Sequence, residues 1–243
     1  MANKNKQQQE PPPPPPKKQE VKENVFLFIP NIIGFIRVIL AILSLYYMPN
    51  KPWICMVLYT FSCLLDAVDG NAARYFDQCS KFGAVLDMVT DRSSTSCLLC
   101  FLATRYSSWT VLFQLLISLD LSSHYMHMYS SLTSGSSSHK NIDKSSNFIL
   151  RAYYSDNRVL FIFCALNELF FVALYLLSFN HEDTVPWLNN TIQLIAFLSF
   201  PVCAVKQIIN VIQLVGASQR LANLDLMERR KITKNGENAK KTN

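Results

Sequence analysis

The chain has 243 residues, half of them hydrophobic, and a formal net charge of +6. Its mean hydropathy is only +0.14, because two polar tails are averaged with a strongly apolar centre. An apolar centre of this length argues against a soluble enzyme, a secreted disulfide scaffold and a disordered protein. The six glycines and the lack of long alternating runs argue against a β-barrel.

The N-terminal tail, residues 1–24, contains six consecutive prolines and five lysines, a composition typical of a disordered low-complexity segment. A membrane domain is predicted over residues 25–216, followed by a polar, basic tail over residues 217–243. Within the domain, hydropathy predicts an all-α polytopic membrane protein. The six predicted spans lie near residues 31–48, 53–73, 84–104, 109–131, 157–179 and 186–214.

The distribution of basic residues predicts the orientation of these spans. An even number of spans places both tails on one side, and the tails contain five and seven basic residues. The loops on the opposite side contain only Lys51 and Arg105, beside the acidic Glu182 and Asp183. Both tails are therefore predicted to be cytoplasmic. The positive charge then reflects orientation and attraction to anionic lipid, so nucleic acid is not an expected partner.

Four aspartates interrupt the second and third spans. Asp66 and Asp69 are three residues apart, and Asp87 and Asp91 are four apart, so each pair lies on one helical face. A charged side chain costs several kcal/mol in hydrocarbon unless it is paired, hydrated or bound to a cation. Because the two spans are antiparallel, all four carboxylates lie roughly 8–15 Å from the same membrane boundary. We expect them to form one cluster that faces the cytoplasm.

The chemistry of this cluster favours divalent cations. Carboxylate oxygens without histidine or cysteine favour Mg²⁺ or Mn²⁺ over zinc, and four carboxylates are enough for two ions about 4 Å apart. Mg²⁺ held in this way usually retains a phosphate ligand, which indicates a phosphoanhydride substrate. Gly70 and Ala73 leave space near the backbone, and Arg74 offers a guanidinium for phosphate. Two alternatives remain: structural pairing of the aspartates with Arg37, Arg74 and Arg92, and a cation transporter.

The aspartates belong to a longer pattern, D-x2-D-G-x2-A-R-x8-G-x3-D-x3-D, which spans residues 66–91 without a gap. In this pattern the chain resembles the CDP-alcohol phosphatidyltransferase family. The segment PNIIGFIR, with Asn31 and Arg37, is also similar to the first helix of that family. Further segments resemble its inositol-accepting eukaryotic members from about Asn24 to Gly216: FLFIPNIIGFIRVILAI, FGAVLDMVTDR, SGSSSHKNID, LRAYY and NELFF.

The resemblance implies roles for the aspartates. Asp66, Asp69 and Asp87 would hold two divalent ions, with Asp87 bridging them. Asp91 would act as general base and also contact the second ion. The implied reaction transfers the phosphatidyl group of CDP-diacylglycerol to a hydroxyl of myo-inositol, giving phosphatidylinositol and CMP. Serine and glycerol 3-phosphate are alternative acceptors.

The resemblance also implies that Gly70, Arg74 and Ser80 bind the headgroup of CDP-diacylglycerol. It further implies a homodimer. We expect the protein to be surrounded by the lipid bilayer, because the diacyl chains of the substrate remain in lipid while the polar acceptor enters from the cytosol.

Other polar residues suggest an acceptor pocket. Asp120 and His124 lie on one face of the fourth span, and Lys140 lies in the loop that follows. We expect these three to bind acceptor hydroxyls. For Asp120 and His124 the alternatives are interhelical hydrogen bonding and a zinc site. For Lys140 the alternative is a solvated position in the loop. The C-terminal KKTN is similar to a dilysine retrieval signal, which predicts residence in the endoplasmic reticulum membrane.

Overall fold

The computed structural model describes residues 24–133, 157–179 and 186–241, and every regular element in these ranges is helical. Short 3-10 turns at Val25–Leu27 and Ser107–Trp109 precede the first and fourth long helices. The predicted all-α architecture with six long helices is confirmed for these described ranges. These helices are α1 (Ile29–Tyr47), α2 (Pro52–Tyr75), α3 (Lys81–Arg105), α4 (Thr110–Thr133), α5 (Asn157–Leu177) and α6 (Pro186–Lys241).

The surface of the bundle is apolar and part of its interior is polar. Large side chains such as Phe61 and Phe197 are exposed, whereas Arg37, Asp69 and Asn210 are buried. This distribution is that of a protein surrounded by lipid, in which polar groups must find partners inside the bundle. The chain is therefore a polytopic membrane protein.

Helices differ in how clearly their composition marks them as membrane spans. Within the described ranges, α1, α2, α5 and α6 each contain a stretch long and apolar enough to cross a membrane. Helix α3 is less apolar because its first half contains Asp87, Asp91 and Arg92. Helix α4 contains many serines and two histidines. Helices α3 and α4, which lack such a stretch, contain Asp87, Asp91 and Asp120, polar residues that the sequence analysis assigned to the site.

The bundle has an apolar end that fixes the relative positions of the helices. Helix α1 packs on α2 and α3, helix α4 packs on α3 and α6, and α5 packs mainly on α6. The second half of α3 contributes Leu99 and Leu102, which pack with Phe171 and Tyr175 of α5 in one buried cluster. The Tyr175 hydroxyl donates to the carbonyl oxygen of Met48 at 2.7 Å. The first half of α3, where the aspartates lie, is at the opposite end.

Helix α6 continues past residue 216, where the sequence places the end of the membrane domain. Its 56 residues correspond to about 84 Å at 1.5 Å per residue, whereas the hydrocarbon core is about 30 Å thick. The residues after 216 include many alanines, leucines, glutamates and lysines, which favour helix even in water. The last part of α6 therefore projects beyond the hydrocarbon core.

Candidate active site

The carboxylates of α2 and α3 converge on one point. One oxygen from each of Asp66, Asp69 and Asp87 lies within 4.8 Å of the other two. The Nη1 atom of Arg37, from α1, lies among them, at 3.1 Å from Asp66, 2.6 Å from Asp69 and 2.8 Å from Asp87. The helical spacing thus brings together the residues that the sequence predicted to cluster.

Asp91 lies on the other side of the same guanidinium. Its Oδ1 accepts from Nη2 of Arg37 at 2.5 Å, and its Oδ2 is 3.5 Å from Nη2 of Arg92. Arg37 is 1% exposed and therefore supplies buried counter-charge to all four carboxylates. A buried ion pair of this kind is retained only when its geometry and hydrogen bonds offset the cost of desolvation.

These residues fit a divalent cation. The donor set consists of carboxylate oxygens, which are ligands for Mg²⁺ and Mn²⁺. The position of Nη1 of Arg37 identifies a point at which three carboxylates already stabilise a positive charge. Because Arg37 contacts the same oxygens that would bind a cation, the two compete for these ligands.

The alternative of purely structural pairing holds only in part. Arg37 contacts all four aspartates, and Arg92 lies near Asp91. Arg74, in contrast, is exposed and donates to Oδ1 of Asn71 at 2.8 Å. It is therefore placed at the end of α2 near the surface, and the cluster does not require it as a counter-ion.

The residues predicted to bind the substrate headgroup lie around the same end of the bundle. A Cβ atom added to Gly70 would meet the guanidinium of Arg74 at 3.9 Å, which is an ordinary contact. The space beside Gly70 is thus not filled by the described residues. Ser80 is the N-cap of α3, and its Oγ accepts from the Gly83 amide at 2.9 Å. Binding of CDP-diacylglycerol by Gly70, Arg74 and Ser80 stays a prediction.

Gly83, the third small residue of the sequence pattern, has a packing role. A Cβ atom at this position would lie 2.6 Å from Oδ1 of Asn31 and 3.0 Å from Oγ of Ser80. Asn31 is itself held, because its Nδ2 donates to the carbonyl oxygen of Val25 at 2.6 Å. Gly83 therefore permits the close approach of α1 and α3 that brings Arg37 to the aspartates.

The two glycines predict opposite outcomes for the same substitution. Gly83→Ala forces Asn31 or Ser80 to move, so we expect it to destabilise the protein by about 1–3 kcal/mol. Gly70→Ala should leave stability unchanged or raise it by about 0.5–1 kcal/mol, because alanine favours helix. If Gly70 borders the substrate, Gly70→Ala should nevertheless raise the KM for CDP-diacylglycerol. Thermal unfolding and initial rates of both variants test this, and equal stability of the two would contradict it.

The predicted acceptor residues of α4 have protein partners. Asp120 accepts from Nη1 of Arg92 at 2.9 and 3.0 Å and from Nδ2 of Asn210 at 3.4 Å. Nδ1 of His124 lies 2.8 Å from the carbonyl oxygen of Asp120. Lys140 lies outside the described residues. Asp120 therefore orients Arg92, an arrangement that the sequence did not indicate.

A cavity of about 190 Å³ opens beside the aspartate cluster, between α2, α3, α5 and α6. Asp66 and Asp91 border it at the cluster, whereas Asp120 and His124 lie outside its lining. Glu168 of α5 also lines it. The cavity could not be located from the sequence, although an acidic residue inside an apolar span was a signal that pointed to Glu168.

Comparison with known proteins relates the chain to one family. The family model for CDP-alcohol phosphatidyltransferase matches residues 27–217. A CDP-diacylglycerol--inositol 3-phosphatidyltransferase of Schizosaccharomyces pombe is 53% identical over 226 residues, which cover 87% of this chain and 95% of the relative. The protein of the same name from Saccharomyces cerevisiae is 48% identical over 204 residues, covering 84% and 90%. That of Homo sapiens is 46% identical over 209 residues, covering 86% and 98%. No solved structure matches the chain.

Proposed function

Because the chain belongs to the CDP-alcohol phosphatidyltransferase family, we propose that it transfers the phosphatidyl group of CDP-diacylglycerol to a hydroxyl of myo-inositol. The products are phosphatidylinositol and CMP. The observation that supports this most directly is the convergence of four intramembrane carboxylates around Arg37. Relatives that cover most of the chain bear the name of this activity.

Asp66, Asp69 and Asp87, together with Asp91, are proposed as the residues that would hold two ions of Mg²⁺ or Mn²⁺. Divalent cations bound there would neutralise the diphosphate and supply charge stabilisation as CMP leaves. The carboxylates belong to two helices that are packed against α1, so they are held in place before substrate binds. This rigidity favours catalysis by positioning.

Asp91 is proposed to act as the general base. The acceptor oxygen attacks phosphorus, the bond between that phosphorus and the CMP oxygen breaks, and the hydroxyl proton passes to a carboxylate. Asp91 is suited to this step because it lies both in the cluster and on the cavity. Gly70, Arg74 and Ser80 are proposed to bind the CDP-diacylglycerol headgroup.

The location of the enzyme is also a proposal. Basic residues concentrate in the tails and the loops on the same side, which supports cytoplasmic termini and an aspartate end of the bundle that faces the cytoplasm. The KKTN terminus supports residence of the protein in the endoplasmic reticulum membrane. Residues 25–216 are proposed as the catalytic membrane domain, and the family supports a homodimer. Protease digestion of sealed microsomes tests the orientation, and the mass of the purified complex tests the dimer.

The proposed reaction is tested by offering purified wild-type protein CDP-diacylglycerol, Mg²⁺ or Mn²⁺, and one alcohol at a time. We expect CMP release with myo-inositol, little with serine or glycerol 3-phosphate, and none when a chelator replaces the metal. Release with serine or glycerol 3-phosphate instead would reassign the acceptor. Absence of CMP release with every alcohol, together with Mg²⁺ uptake into proteoliposomes, would favour a transporter.

A further inference from the structure

The cavity beside the aspartate cluster has balanced charge. Three cationic and three acidic side chains line it, namely Arg37, Arg92, Lys206, Asp66, Asp91 and Glu168. Arg92 is further neutralised from behind by Asp120. An excess of positive charge, which a phosphorylated alcohol would need, is therefore lacking in this lining. A neutral molecule rich in hydroxyl groups is a better match, because each charged group can exchange hydrogen bonds with it.

Glu168 is held in the cavity by two other helices. Its Oε2 accepts from the Tyr59 hydroxyl of α2 at 2.6 Å, and its Oε1 accepts from Thr95 of α3 at 2.9 Å. Oε1 also accepts from Nδ2 of Asn167 at 3.4 Å, so the lone pair left for a further donor is on Oε2. The side chain is only half-buried, so a molecule in the cavity can reach it.

Asp91 and Glu168 face the cavity at different depths. Thr95, which binds Glu168, is one helical turn beyond Asp91 on α3, a rise of about 6 Å. A hydroxylated six-membered ring has this span, so one hydroxyl can lie at Asp91 while another reaches Glu168. Apolar side chains such as Phe161 and Val172 also line the cavity, and they offer contacts for the C–H groups of such a ring.

We infer that this cavity binds the cyclic polyol acceptor, and that the Glu168 carboxylate determines acceptor specificity by accepting a hydrogen bond from a ring hydroxyl remote from the reacting one. This inference rests on the proposed function and identifies where its acceptor binds. Lys206, buried and donating to Asn210 at 3.1 Å, lines the same cavity. It provides a donor where Glu168 provides an acceptor.

Glu168→Gln tests the inference. The amide keeps the shape of the side chain and can still bind both hydroxyls, with its oxygen accepting from one and its nitrogen donating to the other. Because hydrogen bonds to a charged group are stronger than those to a neutral one, the KM for myo-inositol should rise about 10- to 100-fold. The KM for CDP-diacylglycerol should remain within about 3-fold of the wild-type value.

Monodeoxy-inositols separate recognition from a general disturbance of the helices. For the analogue that lacks the hydroxyl bound by Glu168, the wild-type KM should already be raised, and Glu168→Gln should raise it no further. An unchanged KM for myo-inositol, or the same increase for every deoxy analogue, would overturn the inference. If Glu168→Gln does not fold, Tyr59→Phe removes one bond that positions Glu168. It should give the same analogue pattern with a rise of roughly 2- to 10-fold.

Tyr175→Phe is the matched control. Tyr175 lies on α5 two turns from Glu168, is buried and donates an interhelical hydrogen bond, but it lies outside the cavity lining. It should lower thermal stability without changing the KM for myo-inositol. Wild-type protein that releases no CMP with any alcohol would reject the proposed function itself. Active wild type with unaltered acceptor kinetics in Glu168→Gln would reject only this inference.

Discussion

Asp91→Asn should lower kcat by about 10²- to 10⁴-fold, the contribution usually made by a general base. Asparagine keeps the shape of the side chain but cannot accept the hydroxyl proton. Arg37 would keep its contacts with Asp66, Asp69 and Asp87, so the bundle should remain folded. The measurement is CMP release at saturating concentrations of both substrates, together with the thermal unfolding midpoint of the same preparation.

The control for this variant is Asp225→Asn, which removes the same charge from an exposed position on α6. Its kcat should equal that of the wild type. An Asp91→Asn protein with wild-type kcat would remove the proposed base. A loss of activity accompanied by a large drop in the unfolding midpoint would show that Asp91 is needed for structure instead.

Arg37→Ala should produce the largest loss of stability. The substitution leaves four carboxylates without their shared buried counter-charge. Removing one partner of a buried ion pair typically costs about 3–5 kcal/mol. Because divalent cations would bind the same oxygens, Mg²⁺ should restore part of this loss. We expect a lower unfolding midpoint in chelator, and a larger upward shift on addition of Mg²⁺ than the wild type shows.

Arg229→Ala serves as the matched control, because Arg229 is an exposed arginine on α6. It should unfold like the wild type with and without Mg²⁺. If Arg37→Ala is as stable as the wild type in chelator, Arg37 does not carry the counter-charge. If Mg²⁺ fails to stabilise it, the carboxylates do not bind the cation.

The helices and the convergence of the aspartates could be predicted because both depend on local spacing. Apolar runs define the spans, and the offsets between Asp66 and Asp69 and between Asp87 and Asp91 place each pair on one face. The antiparallel order of α2 and α3 then brings the pairs to the same depth. None of these steps requires knowledge of how the helices are rotated against each other.

The position of Arg37 at the centre of the cluster depends on that rotation. The rotation of α1 against α3 is set by close approaches of the two helices, at Gly34 as well as at Gly83. A Cβ atom at Gly34 would lie 2.8 Å from Cδ2 of Leu86. The sequence shows a glycine and a leucine at these places, but it does not show that they meet.

The sequence did not reveal the cavity either, because its shape also depends on how the helices are rotated against each other. Glu168 forms hydrogen bonds between helices, and its partners Tyr59 and Thr95 come from two other helices, which the sequence does not identify. Asp120 was expected to bind the acceptor or to form an interhelical hydrogen bond; it pairs with Arg92, and acceptor binding by Asp120 stays a prediction. A polar residue in a span predicts that a partner exists, and tertiary packing decides which partner it is.

The most direct test of the central claim is the number of Mn²⁺ ions that the purified protein binds, measured by titration with electron paramagnetic resonance detection of free Mn²⁺. We expect two ions per wild-type chain. We also expect binding to be lost in the double variant Asp69→Asn, Asp87→Asn. Absence of bound Mn²⁺ at concentrations that support CMP release, or equal binding by the double variant, would contradict a catalytic metal site formed by these carboxylates.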